Sequence, residues 1–369
     1  MSDSIATLPT EAKPLPTPLP GSLTEICNFS RSALISELET ELGVKPFRAR
    51  QLLRWIYKSR KTDFSEMTDI AKSIRRELDQ RYSIMRLPTI NTQDSIDGTR
   101  KYLFELPDGK FIESVLIKQE TRNTLCISSQ VGCAIACSFC RTGRMGLTRN
   151  LTTAEIVGQV LSVQDDIASR NIVFMGMGEP FHNINNVIPA VELLNDPLGF
   201  DFSSRKITVS TSGLVPSIEK FGASNAEANL AISLNATTDE VRDVLIPINK
   251  KWPLKVLLQA LKDYPLKKGR RITIEYVMLK DVNDTKADLD RLPKLLQGIP
   301  AKINLIPYND NSGLGYDAPL HDNVYHWQRS LLNRGMNSSI RWSKGLDIDA
   351  ACGQLATKSI REKKIREAK

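Results

Sequence analysis

Three of the six cysteines in this 369-residue chain fall within eight positions, as Cys133-Ala-Ile-Ala-Cys137-Ser-Phe-Cys140. Clustered thiols in a long chain read as metal ligation, whereas disulfide frameworks belong to short secreted chains. Four thiolates would saturate a 4Fe–4S cluster. Three leave one iron open to another ligand. Zinc is the rival metal, but structural zinc takes four ligands in paired groupings. No second pair exists here, and His182, His321 and His326 lack that spacing. Cys27 is a spare thiol, close to a proline-rich N-terminus.

A second feature agrees with the triplet. Gly176-Met-Gly-Glu-Pro180 closes the next apolar segment. Alone, a glycine-rich strand exit is often only a turn. Ser210, Ser233 and Asn309 also fall at the carboxyl ends of expected strands, the end that carries the active site in α/β barrels. Serine and asparagine at such places are more often caps and turns. Together, a CxxxCxxC triplet after a first strand and Gly178-Glu179 after the next resemble the radical S-adenosylmethionine superfamily. The resemblance implies that the open iron chelates the amino and carboxylate groups of S-adenosylmethionine. One electron then splits the carbon–sulfur bond and yields a 5′-deoxyadenosyl radical. It also implies that Gly178-Glu179 meets the methionine amino group, with Met177 displacing the first glycine of the usual doublet.

A generic cluster enzyme needs neither Cys126 nor Cys352. Cys126, in a strand, reads blandly as a small buried hydrophobe. Cys352 lies in Gly345-Leu-Asp-Ile-Asp-Ala-Ala-Cys-Gly353, a small-residue stretch expected to be a mobile loop. A thiol there reads as a nucleophile that is alkylated and then carries the group. Glu113, in a hairpin strand, reads by itself as a solvent-facing carboxylate.

At this point the chain resembles the adenine-C2 RNA methyltransferases of the RlmN family. The matching segments include Leu125–Cys140, Asn150–Gln159, Met175–Pro180, Val209–Gly213, Ala231–Asn235, Ile246–Lys250 and Asp349–Leu355, spread over nearly the whole chain. The resemblance implies two molecules of S-adenosylmethionine per turnover. One methylates the Cys352 sulfur. The second gives the radical, which takes a hydrogen from methyl-Cys352, and the methylene radical adds to adenine C2. Cys126 is then implied to attack the Cys352 sulfur and form a disulfide, with Glu113 as proton acceptor. Gly178, Glu179, Ser210, Ser233, Leu234, Asn235 and Asn309 are implied as S-adenosylmethionine contacts. Asn235 departs from the histidine expected in many relatives. Adenine C2 is electrophilic, so attack on a sulfonium methyl fails there and radical addition is required.

These residues need a scaffold. The segments 124–128, 171–175, 206–211, 229–234, 271–279 and 302–307 are short apolar strands separated by helical stretches, one opened by a Thr152-x-x-Glu155 capping box. Such alternation predicts a parallel sheet with right-handed crossovers. Six units favour a partial (βα)6 barrel, with a doubly wound sheet as the alternative. Residues 23–95 read as a helical accessory domain, 96–123 as a linking β-hairpin, 124–344 as the barrel and 345–369 as a C-terminal loop with a basic tail. Residues 1–22, with five prolines, cannot bury enough surface to order themselves and read as a disordered tail.

A net charge of +8 favours an anionic partner. Arg50, Arg54 and Lys58 form a helical stripe with no acid from Phe47 to Thr62, and this reads as RNA contact. The implied partners are 23S rRNA, tRNA and a flavodoxin-type electron donor. No apolar run is long enough for a membrane helix and no signal peptide is evident, so a cytoplasmic monomer is expected. Three rivals remain: a C8-methylating resistance relative, a radical enzyme activating a protein, and a non-catalytic RNA-binding iron–sulfur protein.

Overall fold

Chain punctuation sets the first helices. α1 (Arg31–Leu42) buries Leu34 and Leu38 and ends at Gly43, whose φ of 61° is a left-handed cap. α2 (Phe47–Leu53) runs directly into a π turn, Arg54–Lys58, and the two bury Leu52, Leu53, Ile56 and Tyr57. α3 (Lys72–Arg81) turns Leu78 inward. β1 (Thr24–Glu25) pairs with β2 (Tyr82–Ser83) and closes the segment on itself. This computed structural model describes residues 23–120, 122–163, 170–309 and 313–356. The tails expected over 1–22 and beyond 356 lie outside the described residues.

Arg50, Arg54 and Lys58 are all exposed. The surrounding cationic face is narrower than the sequence stripe, because acids reach it from elsewhere. Lys58 Nζ lies 3.9 Å from Asp201 and Lys61 Nζ 2.6 Å from Glu66. Arg75 donates to the Ser65 carbonyl.

The expected strands form one sheet. β3 (Thr89–Asp94), β4 (Arg100–Glu105), β5 (Phe111–Gln119) and β6 (Arg122–Cys126) pair antiparallel in sequence order. The short β7 (Gln130–Gly132) and β8 (Leu147–Asn150) pair with each other around the thiol loop, whose single helical turn is α4 (Arg141–Arg144). Then come α5 (Thr153–Ser162), β9 (Arg170–Phe174), α6 (Ile184–Asn195), β10 (Ile207–Thr211), α7 (Val215–Gly222) and β11 (Asn229–Ser233). After α8 (Asp239–Leu245) and α9 (Leu254–Asp263) follow β12 (Ile272–Met278), α10 (Lys286–Leu295), β13 (Ala301–Pro307), α11 (His321–Asn333) and β14 (Ser338–Ile340).

The sheet order is β14-β13-β12-β11-β10-β9-β6-β5-β4-β3. From β6 to β14 every pairing is parallel and follows chain order. A doubly wound sheet reverses its strand order at a switch point. This one never does, so it is an open, partial barrel, with β14 a short seventh strand after the expected six.

The segment read as a linking hairpin is not a separate link: β4 and β5, with an unexpected β3, extend the same sheet. β3 (Thr-Ile-Asn-Thr-Gln-Asp) escapes sequence reading because an exposed edge strand carries no apolar alternation. The capping box on α5 forms as expected, Thr152 Oγ1 accepting from Glu155 N at 3.0 Å. Asn28 Oδ1 accepts from Ala154 N at 2.9 Å and seats the helical segment on that helix.

Candidate active site

The loop from Gly132 to Gly146 leaves the sheet beside its carboxyl edge. Gly132 has φ 80°, and a Cβ there would lie 1.9 Å from the Gly146 carbonyl oxygen. That oxygen accepts from Cys133 N at 2.9 Å, so the close approach itself sets where the first thiol starts. Ser138 anchors the far side, its Oγ 2.7 Å from Tyr316 Oη and its N–H donating to the Leu245 carbonyl. Gly132→Ala is expected to leave a folded protein that binds well under half the wild-type iron and sulfide after reconstitution. Full iron content would show that the loop tolerates the displacement.

Cys133, Cys137 and Cys140 line one cavity of about 970 Å³, open mouth included, at the carboxyl ends of the parallel strands. Burial pushes all three thiols up, and for Cys137 the neighbouring Cys140 and Cys133 add to it. Three thiolates lining one cavity need positive charge beside them, and metal ligation deprotonates a thiol outright. Among the described residues no three Cys, His, Asp or Glu groups converge on a point that one metal ion could occupy. Three thiols spread around a cavity suit a polynuclear cluster, where each takes a different iron.

Gly178, Glu179, Ser210, Ser233, Asn235 and Asn309 line the same cavity. A Cβ on Gly178 would lie 2.5 Å from the Gln130 side chain, and its φ of 100° excludes most other residues. Met177 is fully buried and does not line the site, whereas Gly176, Gly178, Glu179 and Pro180 of that motif do. Glu179 Oε2 accepts from Ser212 N and Oγ at 2.8 and 2.7 Å, and Oε1 from Phe181 N at 2.9 Å. Burial still holds its pKa above the ordinary carboxylate value. Asn235 has φ 55°, a left-handed position that asparagine tolerates. Its Oδ1 accepts from Val277 N at 2.7 Å, so this side chain serves the fold as well as the cavity.

Leu234 is not among the cavity-lining residues. Its side chain is buried in the core, its N–H donates to the Glu275 carbonyl and its own carbonyl accepts from Arg242.

Cys352 and Gly353 close the cavity's rim. The mobile loop expected here is pinned. Asn309 Nδ2 donates to the Cys352 carbonyl at 3.2 Å, Arg141 N to the Gly353 carbonyl at 2.8 Å and Thr142 Oγ1 to the Leu355 carbonyl at 2.8 Å. The antiparallel extension holds the rest: Lys101 Nζ donates to the Ile348 carbonyl at 2.6 Å and Gly345 N to Asp97 at 2.9 Å. Small residues permit this close docking, which a sequence reading takes for looseness.

Cys126 ends β6 and is buried. Burial first, and Cys352 nearby second, push its thiol up to about 12. Glu113 is 1% exposed, not the solvent-facing carboxylate its strand position implied. Its Oε2 accepts from Ala356 N at 3.0 Å and its Oε1 lies 3.6 Å from Lys101 Nζ. Neither Cys126 nor Glu113 is among the residues lining the cavity; both lie close to the Cys352 loop. Glu275 and Arg341, which sequence reasoning missed, do line the cavity. The signal for Glu275 was legible, a charge inside an otherwise apolar strand. Arg341 follows a strand too short to recognise.

An open parallel barrel with a three-thiol loop after its first strand defines a radical S-adenosylmethionine enzyme. Residues 127–292 match the model of the Radical SAM superfamily, and residues 24–84 match the Ribosomal RNA large subunit methyltransferase N-terminal domain. A relative from Geobacter sulfurreducens, a dual-specificity RNA methyltransferase RlmN, is 55% identical over 88% of this chain and 91% of its own. One from Geotalea uraniireducens with the same description is 52% identical over 90% and 96%. The crystal structure of a radical SAM methyltransferase from Sphaerobacter thermophilus superposes with TM-score 0.83 at 39% identity, covering 91% of this chain and all of that one. The chain belongs to the RlmN family of dual-specificity RNA methyltransferases. Its cofactors are a 4Fe–4S cluster and S-adenosylmethionine.

Proposed function

We propose that this enzyme methylates C2 of adenine 2503 in 23S rRNA and C2 of adenine 37 in tRNA, working as a cytoplasmic monomer supplied with electrons by a flavodoxin-type donor. The observation that carries this reading is the place of Cys352, a thiol on a pinned loop at the rim of the cavity that the three clustered thiols line. Among the described residues no helix is long and apolar enough to cross a membrane. The exposed Arg50, Arg54 and Lys58 contact RNA phosphates.

Cys133, Cys137 and Cys140 hold the cluster, and Gly178, Glu179, Ser210, Ser233, Asn235 and Asn309 hold S-adenosylmethionine. When bound, these groups supply a transferable methyl and a 5′-deoxyadenosyl radical. Cys352 Sγ accepts the methyl, forming a carbon–sulfur bond as the sulfonium bond breaks. Glu179, buried and carboxylate-bearing, suits the cationic amino group. After the methylene carbon is joined to C2, the adduct would give up one electron to the oxidised cluster and its C2 proton to Glu113. The Cys126 thiolate then attacks Cys352 Sγ, the S–S bond forming as the S–CH2 bond breaks, and the electron pair goes to the departing carbon, which takes up a proton to become the methyl group.

Nucleoside mass analysis of RNA treated with the reconstituted enzyme tests the reading. 2-Methyladenosine is expected, and 8-methyladenosine without it would assign the chain to the C8 chemistry instead. Burial raises the Glu113 pKa, and a base works ionised. Its ionised fraction falls as pH drops through that raised value. The acid limb of the release step should therefore begin at a higher pH than for an exposed glutamate. Glu113→Gln should remove that limb and slow release about 10²- to 10⁴-fold. A limb unchanged in the variant would assign it to another group.

A further inference from the structure

Glu275 stands in the cavity wall with an unfinished hydrogen-bond set. Its Oε1 accepts from Asn304 Nδ2 at 3.0 Å. Its Oε2 is buried and has no hydrogen-bond partner. The nearest cation is Arg341, whose Nη1 lies 4.0 Å away, beyond hydrogen-bond reach. A buried polar atom without a partner calls for an explanation, and an absent ligand is one. Arg341 is held in place by its own contacts. Its backbone N–H donates to the Leu305 carbonyl at 2.8 Å and its Nη1 to Met175 Sδ at 3.2 Å. Glu275, Arg341 and Cys352 all line the same cavity.

An acceptor beside a donor, a few ångströms apart, matches one kind of base edge. The Watson–Crick edge of adenine presents a donor, the exocyclic amine, beside an acceptor, N1. Guanine presents the reverse, an acceptor at O6 and a donor at N1. Adenine's Hoogsteen edge also pairs the amine with an acceptor, N7. The two edges differ in which carbon they bring forward, because C2 is bonded to N1 whereas C8 is bonded to N7. Arg341 and Cys352 line the same cavity, so an adenine held there by its N1 can present C2 to the carrier thiol. Enzymes that act on a base take it out of its stack and read the exposed Watson–Crick edge in a pocket.

We propose that Glu275 and Arg341 select the target base and its reacting carbon, Glu275 Oε2 accepting from the exocyclic amine of adenine and Arg341 donating to N1. This rests on the adenine-C2 reading above. The pair rejects guanine by matching like groups, and it disfavours C8 because N7 plays no part.

The test uses the reconstituted full-length enzyme, a chemical reductant and RNA stem-loops that differ only at the target base. The bases are adenine, purine, which lacks the amine, and 7-deazaadenine, which lacks N7. For the wild type, kcat/KM is expected to fall about 10- to 100-fold on purine and stay within about twofold on 7-deazaadenine. Glu275→Ala should lower activity on adenine to the purine level and lose nothing further on purine. Arg341→Met should weaken both bases together and leave their ratio intact. S-adenosylmethionine affinity of Glu275→Ala, by equilibrium dialysis, should match the wild type. An unchanged adenine-to-purine ratio in Glu275→Ala overturns the proposal, as does a large loss on 7-deazaadenine. A tenfold loss of S-adenosylmethionine affinity overturns it too, since Glu275 would then be a cofactor contact. A wild type that does not distinguish adenine from purine overturns the proposal even if Glu275→Ala fails to fold. A wild type that makes no 2-methyladenine on any RNA would instead defeat the underlying reading.

Discussion

Cys352→Ala is expected to abolish RNA methylation while leaving 5′-deoxyadenosine formation under reductant measurable. The two outcomes separate because different residues carry them. Cys133, Cys137 and Cys140 hold the cluster from a loop braced by Gly146, Tyr316 and Leu245, and none of those braces involves the Cys352 side chain. The Cys352 loop is held through its backbone, by Asn309, Arg141, Thr142 and Lys101, so the sulfur can be removed with little loss of structure. Without it no atom is present to carry the methyl. Methylated nucleosides quantified by mass spectrometry and deoxyadenosine by chromatography give both readouts from one reaction. Methylation surviving in the variant would end the carrier-thiol account. Cys126→Ala should behave differently. It lacks only the releasing thiol, so RNA is expected to remain covalently attached and to migrate with the protein on a denaturing gel.

Arg242→Met is expected to cost about 3–5 kcal/mol of stability, a fall in Tm on the order of 10 °C. Arg242, on α8, is fully buried against the strand ends. Its Nε donates to the Leu234 carbonyl at 3.0 Å, and its Nη2 to the carbonyls of Ser212 at 2.6 Å and Ser233 at 3.2 Å. Nη1 reaches Asn249 Oδ1 at 2.9 Å, and Asn249 in turn donates to Asp239 and Asp243. Burial pushes the guanidinium pKa down to about 10, so the charge survives at neutral pH. Methionine fills much of the volume and supplies no donor. The carbonyls of Ser212, Ser233 and Leu234 lose that partner; Ser233 is itself a proposed S-adenosylmethionine contact and Ser212 lines the same cavity. Affinity for S-adenosylmethionine should fall along with Tm. Thermal unfolding within 2 °C of wild type, roughly one kcal/mol or less, would show that the guanidinium is dispensable.

The cluster triplet, Gly178-Glu179 and the six parallel strands were legible because each is a local signal. Thiol spacing fits one loop, and buried parallel strands read as short apolar runs. The capping box on α5 is equally local. Glu113 was misplaced for the opposite reason. Its exposure depends on what covers β5, and the cover is Ala356, some 240 residues later, with Lys101 from the neighbouring strand. The Cys352 loop read as mobile because small residues permit either looseness or tight docking, and only its partners decide between them. For Leu234 the sequence shows a place at a strand end, and only the structure shows its side chain in the core and its backbone groups bonded to Glu275 and Arg242.

By itself the sequence determined the chemistry available to this protein: a cluster with an open iron, two further thiols, and a strand–helix alternation able to place them at one edge of a sheet. The tertiary structure alone decided what faces what. It curled the sheet in chain order without reversal, extended it with β3, β4 and β5, and used that extension to dock the Cys352 loop at the cavity the thiols line. It also brought Glu275 and Arg341, 66 positions apart, into one wall with an unpartnered oxygen between them. Such pairings are long-range contacts, fixed by packing and hydrogen bonds between distant segments, and no local pattern of residues encodes them.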